Sequence, residues 1–398
     1  MLHEAVSYFT QEVNMLSCLH VTCGKADEAY GSFGGVRNEA GEPLASDSIF
    51  DLASLTKLFT GLTVMRLVED GKLDLQKSVS YYLPAYVHLK EVTVHQLLGY
   101  EINLTTPGRI DAVTTAQEGW TLLRQVVPSP QGNNRYYSDI HALVAGEIIE
   151  AVCDAPLMGC YQQYLLKPLN MQETWDQVPV GLRNRCVSCN GEHRIERGKY
   201  IHRTDVLLGT PHDPKARILS QEGRLCGHAG LFSTRDDMVK LCQGVLHGNV
   251  LSKESLAYMS RNRLGRQKTD GTYSQYLGTL CYVKHPEQYF SEIPIYMSQS
   301  AIGLSGFTGH HIAIDPQTGM FTLFLGNRVM NRLTVLLPKA GEAITDYGLR
   351  SDGVGEVRWP DGRRVSSSVD YVHHKDDHIH RYVQKILQAP TIPWKTTT

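Results

Sequence analysis

The sequence contains no long hydrophobic run, no block of like charges and no internal repeat. No apolar segment approaches the roughly 20 residues that a transmembrane helix requires, and no fixed period marks a solenoid or propeller. The formal net charge is −2, so nothing favours nucleic acid or an anionic membrane surface as a partner. These absences point to a globular protein with a small-molecule ligand.

An export signal and a disulfide framework are also missing from the pattern. The N-terminal stretch carries Glu4 and Glu12 among its apolar residues, without a basic leader or a long apolar core. Nine cysteines, an odd number, are scattered along the chain, which is typical of reduced thiols. We therefore expect a cytoplasmic protein.

Two clusters have partial metal-ligand character. Cys186 and Cys189 form a C-x-x-C with only two histidines nearby, so free thiols on a strand are the favoured interpretation over a structural zinc site. His374 and His378 share a helix face within "HHKDDHIH", but such acids and histidines suit the solvated first turns of a terminal helix. We expect no metal and no cofactor.

Strand patterns lie at both ends of the chain, and helical patterns lie between them. "LSCLHVTC" and "AYGSFGGV" predict a hairpin, and "GTLCYVKH", "HHIAIDP" and "MFTLFLGN" predict late strands. From Ser54 to about Leu169 the periodicity is helical. This order predicts an α+β fold, with an antiparallel sheet flanked by helices and a helical subdomain at its side. We assign residues 1–60 and 220–398 to the sheet domain and 61–219 to the mainly helical subdomain, with a cleft between them.

The first candidate site lies in "FDLASLTKLFTGLTVMRLVEDG", where an amphipathic helix begins. Ser54 and Lys57 are three residues apart and project from one helix face. A serine hydroxyl becomes a nucleophile when a neighbouring group accepts its proton, and a desolvated lysine can assist. Alone, S-x-x-K is a weak signal, because Ser and Lys at this spacing occur by chance in most long chains and a lysine that extends to solvent is then the favoured interpretation.

Two further segments carry polar or small residues at element boundaries. "RYYSDIHALVAGEIIE" places Tyr137 and Asp139 at the start of a helix, where a tyrosine beside a lysine loses its proton more readily. The alternative is a loop tyrosine followed by a helix cap. "GLSGFTGHHIAIDP" opens a strand with small residues, where backbone can approach a ligand closely or form a bulge.

Together these segments resemble the serine β-lactamase and penicillin-binding-protein superfamily, in its class C-like branch with related esterases and D-amino-acid peptidases. The resemblance also includes "VTVHQLL", "PHDPKAR", "GHAGLFSTRDDM" and "LGNRV", in the family's order from about Leu16 to Val329. Residues from about 333 to 371 resemble nothing in the usual pattern, and we interpret them as an insertion before the final helix. The resemblance implies a β-lactamase/DD-peptidase-like fold and a serine hydrolase.

The resemblance also assigns roles to residues. It makes Ser54 the acylated nucleophile, Lys57 its proton-handling partner and Tyr137 the general base. Asp139 and the strand residues would contact the substrate, and the backbone N–H groups of Ser54 and Phe307 would form the oxyanion hole. The substrate-contacting strand residues are Ser305, Gly306 and Phe307.

Three departures from the family pattern bear on the substrate. Asp139 replaces the usual Asn, so we expect Lys57 to stay charged and Tyr137 to abstract the proton. Leu304 replaces the cation of Lys-Thr-Gly or His-Thr-Gly, which disfavours anionic β-lactams. His310 and His311 are candidates to replace it, but alternation lets only one of them face the cleft, and ordinary strand positions are the favoured interpretation for both. "LLGYEINL" replaces Leu-Leu-x-His-x-Ser-Gly-Leu beside the cleft.

The sequence therefore predicts an acyl-enzyme hydrolase of a small ester or amide that is a poor β-lactamase. A D-amino-acid peptidase or an acyltransferase of the same fold is the alternative enzyme, since water and other acceptors compete for one acyl-enzyme. A penicillin-binding-like sensor with little turnover is the alternative from another class.

Overall fold

The computed structural model describes residues 1–129, 137–191, 193–203, 205–271, 273–286 and 292–388. In this part of the chain, no helix combines the length and apolarity needed to cross a membrane. The helices, in chain order, are α1 (Leu2–Ser7), α2 (Thr56–Glu69), α3 (Val79–Tyr82), α4 (Val94–Leu98), α5 (Ala116–Arg124), α6 (Asp139–Cys153), α7 (Leu157–Tyr161), α8 (Pro214–Leu219), α9 (Arg235–Leu246), α10 (Lys253–Met259) and α11 (Tyr371–Ile386).

The strands lie mostly in the first 50 residues and after residue 170, with few between α2 and α7. They are β1 (Cys18–Lys25), β2 (Glu28–Gly35), β3 (Ile49–Asp51), β4 (Asn103–Thr105), β5 (Val127–Ser129), β6 (Thr174–Trp175), β7 (Cys189–Asn190), β8 (His193–Glu196), β9 (Lys199–His202), β10 (Val206–Leu207), β11 (Phe232–Thr234), β12 (Tyr282–Val283), β13 (Ile302–Gly306), β14 (His310–Asp315), β15 (Met320–Gly326), β16 (Arg332–Leu333), β17 (Val335–Leu337), β18 (Glu356–Arg358) and β19 (Arg364–Ser367).

The main sheet is antiparallel and joins the two ends of the sequence. Its strand order is β12-β13-β14-β15-β1-β2, and β1 pairs with β15 in the register Leu19↔Gly326. The predicted N-terminal hairpin is confirmed as β1 and β2. Helices α1 and α11 pack together and share a buried apolar cluster with β1. The predicted α+β architecture, an antiparallel sheet flanked by helices, is confirmed.

Helix α2 runs through the middle of the largest apolar cluster and is buried on nearly every side. The sequence predicted an amphipathic helix, but the threonines on its polar side are also buried. Thr60 Oγ1 donates to the carbonyl of Gly227 at 2.5 Å and lies 2.6 Å from the hydroxyl of Tyr161. A helix enclosed in this way holds its first turn in a fixed position.

The stretch from 333 to 371 contributes short strands to two small sheets. Strand β16 pairs with β19, and β17 pairs with β8 in parallel. A small apolar cluster around Trp359 joins this stretch to β8. Short strands also lie between Thr174 and Leu207, inside the region predicted as mainly helical; the division at residues 60 and 220 stays a prediction.

Candidate active site

The turn between β3 and α2 presents Ser54. The Ala53 N–H donates to Asp51 Oδ1 at 2.9 Å, and the Leu55 N–H donates to the carbonyl of Leu52 at 3.0 Å. Ala53 has a φ of 46°, a left-handed conformation that is costly for a residue with a Cβ and is often found at functional sites. The surrounding buried contacts therefore hold the serine at the start of α2 in a strained turn.

Lys57 is fully buried and its ammonium has three acceptors. Its Nζ donates to Ser54 Oγ at 2.9 Å, to the carbonyl of His228 at 3.2 Å and to Asp139 Oδ1 at 2.8 Å. Burial alone would lower the pKa of Lys57, but the Asp139 carboxylate outweighs it and the pKa is raised. The lysine is thus a charged donor to Ser54, as the Asn-to-Asp departure predicted.

Asp139 is shared between two ammonium groups. Its Oδ2 lies 3.0 Å from Lys215 Nζ, which also lies 3.4 Å from Asp213. His228 Nε2 lies 3.0 Å from Asp213 Oδ1. Burial would raise the pKa of Asp139, but the positive charge of Lys57 holds it well below its usual range.

The carboxylates of Asp139 and Asp213 and the ring of His228 lie close enough together to suggest a metal site, with ligand atoms within 4.8 Å of one another. However, the ammonium groups of Lys57 and Lys215 already bind these carboxylates. Two cations in direct contact would repel a third. The cluster is therefore an ion-pair network. The sequence analysis did not single out Lys215 and Asp213, although both lie in "PHDPKAR", a segment that resembles the family pattern.

Tyr137 lies beside Lys57 and is stacked between two other tyrosines. Lys57 Nζ is 5.2 Å from the centre of the Tyr137 ring. The same ring stacks on Tyr100 at 5.5 Å and on Tyr282 at 5.4 Å between ring centres. Tyr100, with a φ of 56°, belongs to "LLGYEINL", the segment that differs from the family pattern. This difference places an aromatic ring against Tyr137, the candidate general base.

The end of β13 forms the opposite wall of the site. Ser305, Gly306 and Phe307 all line the cavity that contains Ser54. A Cβ at Gly306 would lie 3.0 Å from the carbonyl oxygen of Leu52, a tight contact, so glycine allows the strand to approach the nucleophile turn closely. Leu304 is fully buried in the core and does not line the cavity.

The back of this wall is a buried ionic cluster that the sequence did not predict. Ser305 Oγ donates to Glu292 Oε2. Lys375 Nζ, from α11, lies 3.3 Å from the same carboxylate oxygen and 3.2 Å from His311 Nδ1. Burial would raise the pKa of Glu292, but Lys375 holds it well below its usual range. The expectation that α11 begins with solvated turns is therefore wrong, because Lys375, Asp376 and His380 are buried.

Neither histidine of β14 supplies a cation. His310 Nε2 donates to the carbonyl of Asp51 at 2.6 Å, and the Gly326 N–H donates to its Nδ1 at 3.2 Å, so both ring nitrogens are occupied. Burial lowers the pKa of His310 and of His311 to about 4, which leaves both rings neutral at pH 7.

The cysteines and histidines of the two sequence clusters lie in different surroundings. Cys186 and Cys189 are buried free thiols, and burial raises the pKa of Cys186 to about 11. His374 lies 3.0 Å from the hydroxyl of Tyr8, and the His378 ring stacks on the same tyrosine at 4.0 Å.

The cavity at Ser54 has a volume of about 200 Å³. Tyr137, Tyr282, Arg328 and Tyr371 line it together with Ser54 and the β13 residues. A larger cavity of about 320 Å³ includes Arg183, Gly209 and Arg224 in its lining and none of the predicted site residues. The small cavity is the candidate active site, because it contains the nucleophile and the groups that polarise it.

A serine whose hydroxyl accepts a hydrogen bond from a buried lysine, with a tyrosine beside the lysine, is an arrangement suited to a serine hydrolase that forms an acyl-enzyme. The sequence from residue 20 to residue 337 matches the beta-lactamase family. The chain belongs to this family, and it is a serine hydrolase.

Individual relatives are distant. A putative D-alanyl-D-alanine carboxypeptidase of Salmonella typhi is 27% identical over 312 residues, which cover 71% of this chain and 70% of the relative. EstCE1, a hydrolase with promiscuous acyltransferase activity, has a TM-score of 0.64 at 20% identity, over 81% of this chain and 92% of its own. Unliganded simvastatin synthase (LovD) of Aspergillus terreus has a TM-score of 0.66 at 14% identity, over 98% of both chains. The two solved structures share the fold.

Proposed function

We propose that this protein hydrolyses a small ester or amide through an acyl-enzyme on Ser54, with Tyr137 as the general base. The observation that carries the proposal is the position of Lys57 Nζ, 2.9 Å from Ser54 Oγ and 2.8 Å from Asp139 Oδ1. An ammonium ion held in this way donates to the serine and cannot take its proton. The base must be a neighbouring group, and the phenol of Tyr137 is next to Lys57.

The reaction then proceeds in two symmetric halves. Tyr137 accepts the Ser54 proton on its deprotonated Oη while Ser54 Oγ bonds to the substrate carbonyl carbon. The N–H groups of Ser54 and Phe307 stabilise the oxyanion. When the carbonyl re-forms, the bond to the leaving group breaks and Tyr137 returns the proton to it. In the second half, Tyr137 takes a proton from water as the water oxygen bonds to the acyl carbon. The bond to Ser54 Oγ then breaks, Tyr137 returns the proton to Ser54, and the acid is released.

The size of the cavity supports a small substrate. A volume of about 200 Å³ is below the roughly 300–1,000 Å³ of pockets that enclose drug-sized ligands. This favours a short acyl group over a bulky β-lactam. The absence of a cation at Leu304 does not by itself disfavour an anionic β-lactam, because two other cations, Arg328 and Lys375, line the cavity.

The alternatives keep the same acyl-enzyme and differ in the leaving group or acceptor. The name of the Salmonella typhi relative supports a D-amino-acid peptidase, and that of EstCE1 supports an acyltransferase. A penicillin-binding-like sensor would be acylated on Ser54 without turning over.

The test is the kcat/KM of the purified protein on p-nitrophenyl acetate and butyrate, a D-alanyl-D-alanine peptide and nitrocefin. We expect ester turnover to exceed nitrocefin turnover, and Ser54→Ala, Lys57→Ala and Tyr137→Phe to lose at least about a hundredfold. The matched controls are Lys72→Ala and Tyr164→Phe, because Lys72 Nζ lies 5.3 Å from the Tyr164 ring outside the cavity.

Each outcome of this test has a separate meaning. Faster nitrocefin than ester turnover would overturn the substrate class, and faster peptide turnover would favour the peptidase. Stable acylation of Ser54 without turnover of any substrate would favour the sensor. Full activity in Tyr137→Phe would remove the tyrosine from its proposed role.

A cytoplasmic location is part of this proposal. The chain has nine free cysteines, and all but Cys153 are buried. Thiols in this number are maintained in a reducing compartment. Fractionation of the native host, with alkylation of free thiols before lysis, tests the location.

A further inference from the structure

Arg328 follows β15 and lines the cavity that contains Ser54. It is 9% exposed. Its guanidinium carbon lies 5.6 Å from the centre of the Phe307 ring and 6.0 Å from that of Tyr371. A buried cation therefore lies beside the residue whose backbone is proposed to bind the oxyanion.

The guanidinium group has few protein partners. Nη2 donates to the carbonyl of Thr334 at 2.7 Å, whereas the buried Nε has no hydrogen-bond partner among the described residues. The neighbouring Arg332 is buried as well, but its three nitrogens all donate, to Met330 O, Asn14 O and Asn14 Oδ1. A buried donor without an acceptor is costly, so a missing acceptor is expected at Arg328 and not at Arg332.

The charges around the cavity are otherwise balanced. Lys57 pairs with Asp139, and Lys375 pairs with Glu292. No carboxylate in the described part of the chain forms an ion pair with Arg328, although the charge of Asp370 acts on it from farther away. Burial lowers the pKa of Arg328 to about 10, so the group is still a cation at pH 7. Among the described residues that line the cavity, Arg328 is thus a cation without an ion-pair partner.

We propose that Arg328 binds an anionic group of the substrate, so that the preferred ester or amide carries a carboxylate in addition to the bond that is cleaved. This inference rests on the proposed function at Ser54. It assigns to Arg328, which follows the C-terminal end of β15, the recognition that Leu304 cannot provide. A carboxylate would give the guanidinium charge-assisted hydrogen bonds.

The test compares esters that differ only in a carboxylate. On the acyl side the pair is mono-p-nitrophenyl glutarate and p-nitrophenyl valerate; on the leaving-group side it is 3-acetoxybenzoate and phenyl acetate. We expect the wild type to prefer the carboxylate member of at least one pair by tenfold or more in kcat/KM. Arg328→Gln should reduce that ratio to near one, whereas Arg235→Gln, outside the cavity, should leave it unchanged.

Wild-type measurements keep the inference testable if Arg328→Gln does not fold. Glutarate should inhibit competitively at concentrations at least tenfold below those of glutaramide, and added salt should weaken glutarate more. A kcat/KM ratio near one for both ester pairs, together with equal inhibition by glutarate and glutaramide, would overturn the inference. Turnover of p-nitrophenyl valerate in the same experiment would leave the proposed function intact. A ratio that survives in folded Arg328→Gln would also overturn it. Failure of every ester to acylate Ser54 would overturn the proposed function and this inference together.

Discussion

Replacing Asp139 with Asn tests how the site distributes its charges. At 2.8 Å and an effective dielectric constant of about 20, the attraction between Lys57 and Asp139 is about 6 kcal/mol before desolvation is subtracted. Asn keeps the shape and removes the charge. Lys57 then faces Lys215 across a neutral amide, so the pKa of Lys57 should fall.

The same substitution removes the anion whose charge raises the pKa of Lys57. The limb of the kcat/KM pH profile that reports loss of the Lys57 proton should therefore move to lower pH, by about one to two pH units if roughly a third of the attraction is realised at about 1.4 kcal/mol per unit. Activity at pH 7 should be retained or raised. Ester hydrolysis measured from pH 5 to pH 10 on one substrate provides the assay.

Glu173→Gln is the matched control, because it removes a carboxylate 2.7 Å from Arg185 without a contact to Lys57. Its profile should coincide with that of the wild type. If Asp139→Asn were as inactive as Ser54→Ala while still folded, the carboxylate would have a catalytic task of its own. The assignment of Asp139 as the group that keeps Lys57 charged would then be refuted.

Three further predictions concern stability. Lys375→Met leaves Glu292 buried without its cation, which should lower the free energy of unfolding by about 3–5 kcal/mol. In urea unfolding, the double variant Glu292→Gln/Lys375→Met should recover much of this loss. Equal losses in the single and double variants would contradict the pairing. Burial raises the pKa of Asp376 to about 7. Between about pH 4 and pH 7 the folded state therefore keeps a proton that the unfolded chain has released. The contribution of this group to the free energy of unfolding falls as the pH rises through that range. Asp376→Asn should therefore raise Tm at pH 8 more than at pH 5, and an equal change at both would refute the assignment. Phe59→Ala, at a fully buried position of α2, should lower the free energy of unfolding by about 3–5 kcal/mol, whereas a loss below 1 kcal/mol in the same assay would contradict its place in the core.

The sequence predicted features that depend on neighbours along the chain. Ser54 and Lys57 are adjacent on one helix turn, so their contact follows from helix geometry. The β1–β2 hairpin and β14–β15 were visible as apolar runs around turn residues. The pairing of Asp139 with Lys57 came from the family resemblance together with elementary electrostatics.

Other parts of the site depend on contacts between distant segments. Lys375 looked like a solvated helix residue because its partners, Glu292 and His311, are 83 and 64 residues away in sequence. Tyr100 and Tyr282 reach Tyr137 from separate elements, and no local pattern marks either as a stacking partner. Arg328 was visible within "LGNRV", but only the fold shows that its side chain is buried beside Phe307.

The central claim is that Ser54 carries the acyl group. Rapid quenching of the protein with p-nitrophenyl butyrate, followed by intact-mass and peptide analysis, measures this directly. The account predicts a transient mass increase equal to one butyryl group, located on Ser54, that is absent in Ser54→Ala and persists longer in Tyr137→Phe than in the wild type. Ester turnover without any adduct on Ser54, or an adduct on another residue that survives in Ser54→Ala, would contradict it.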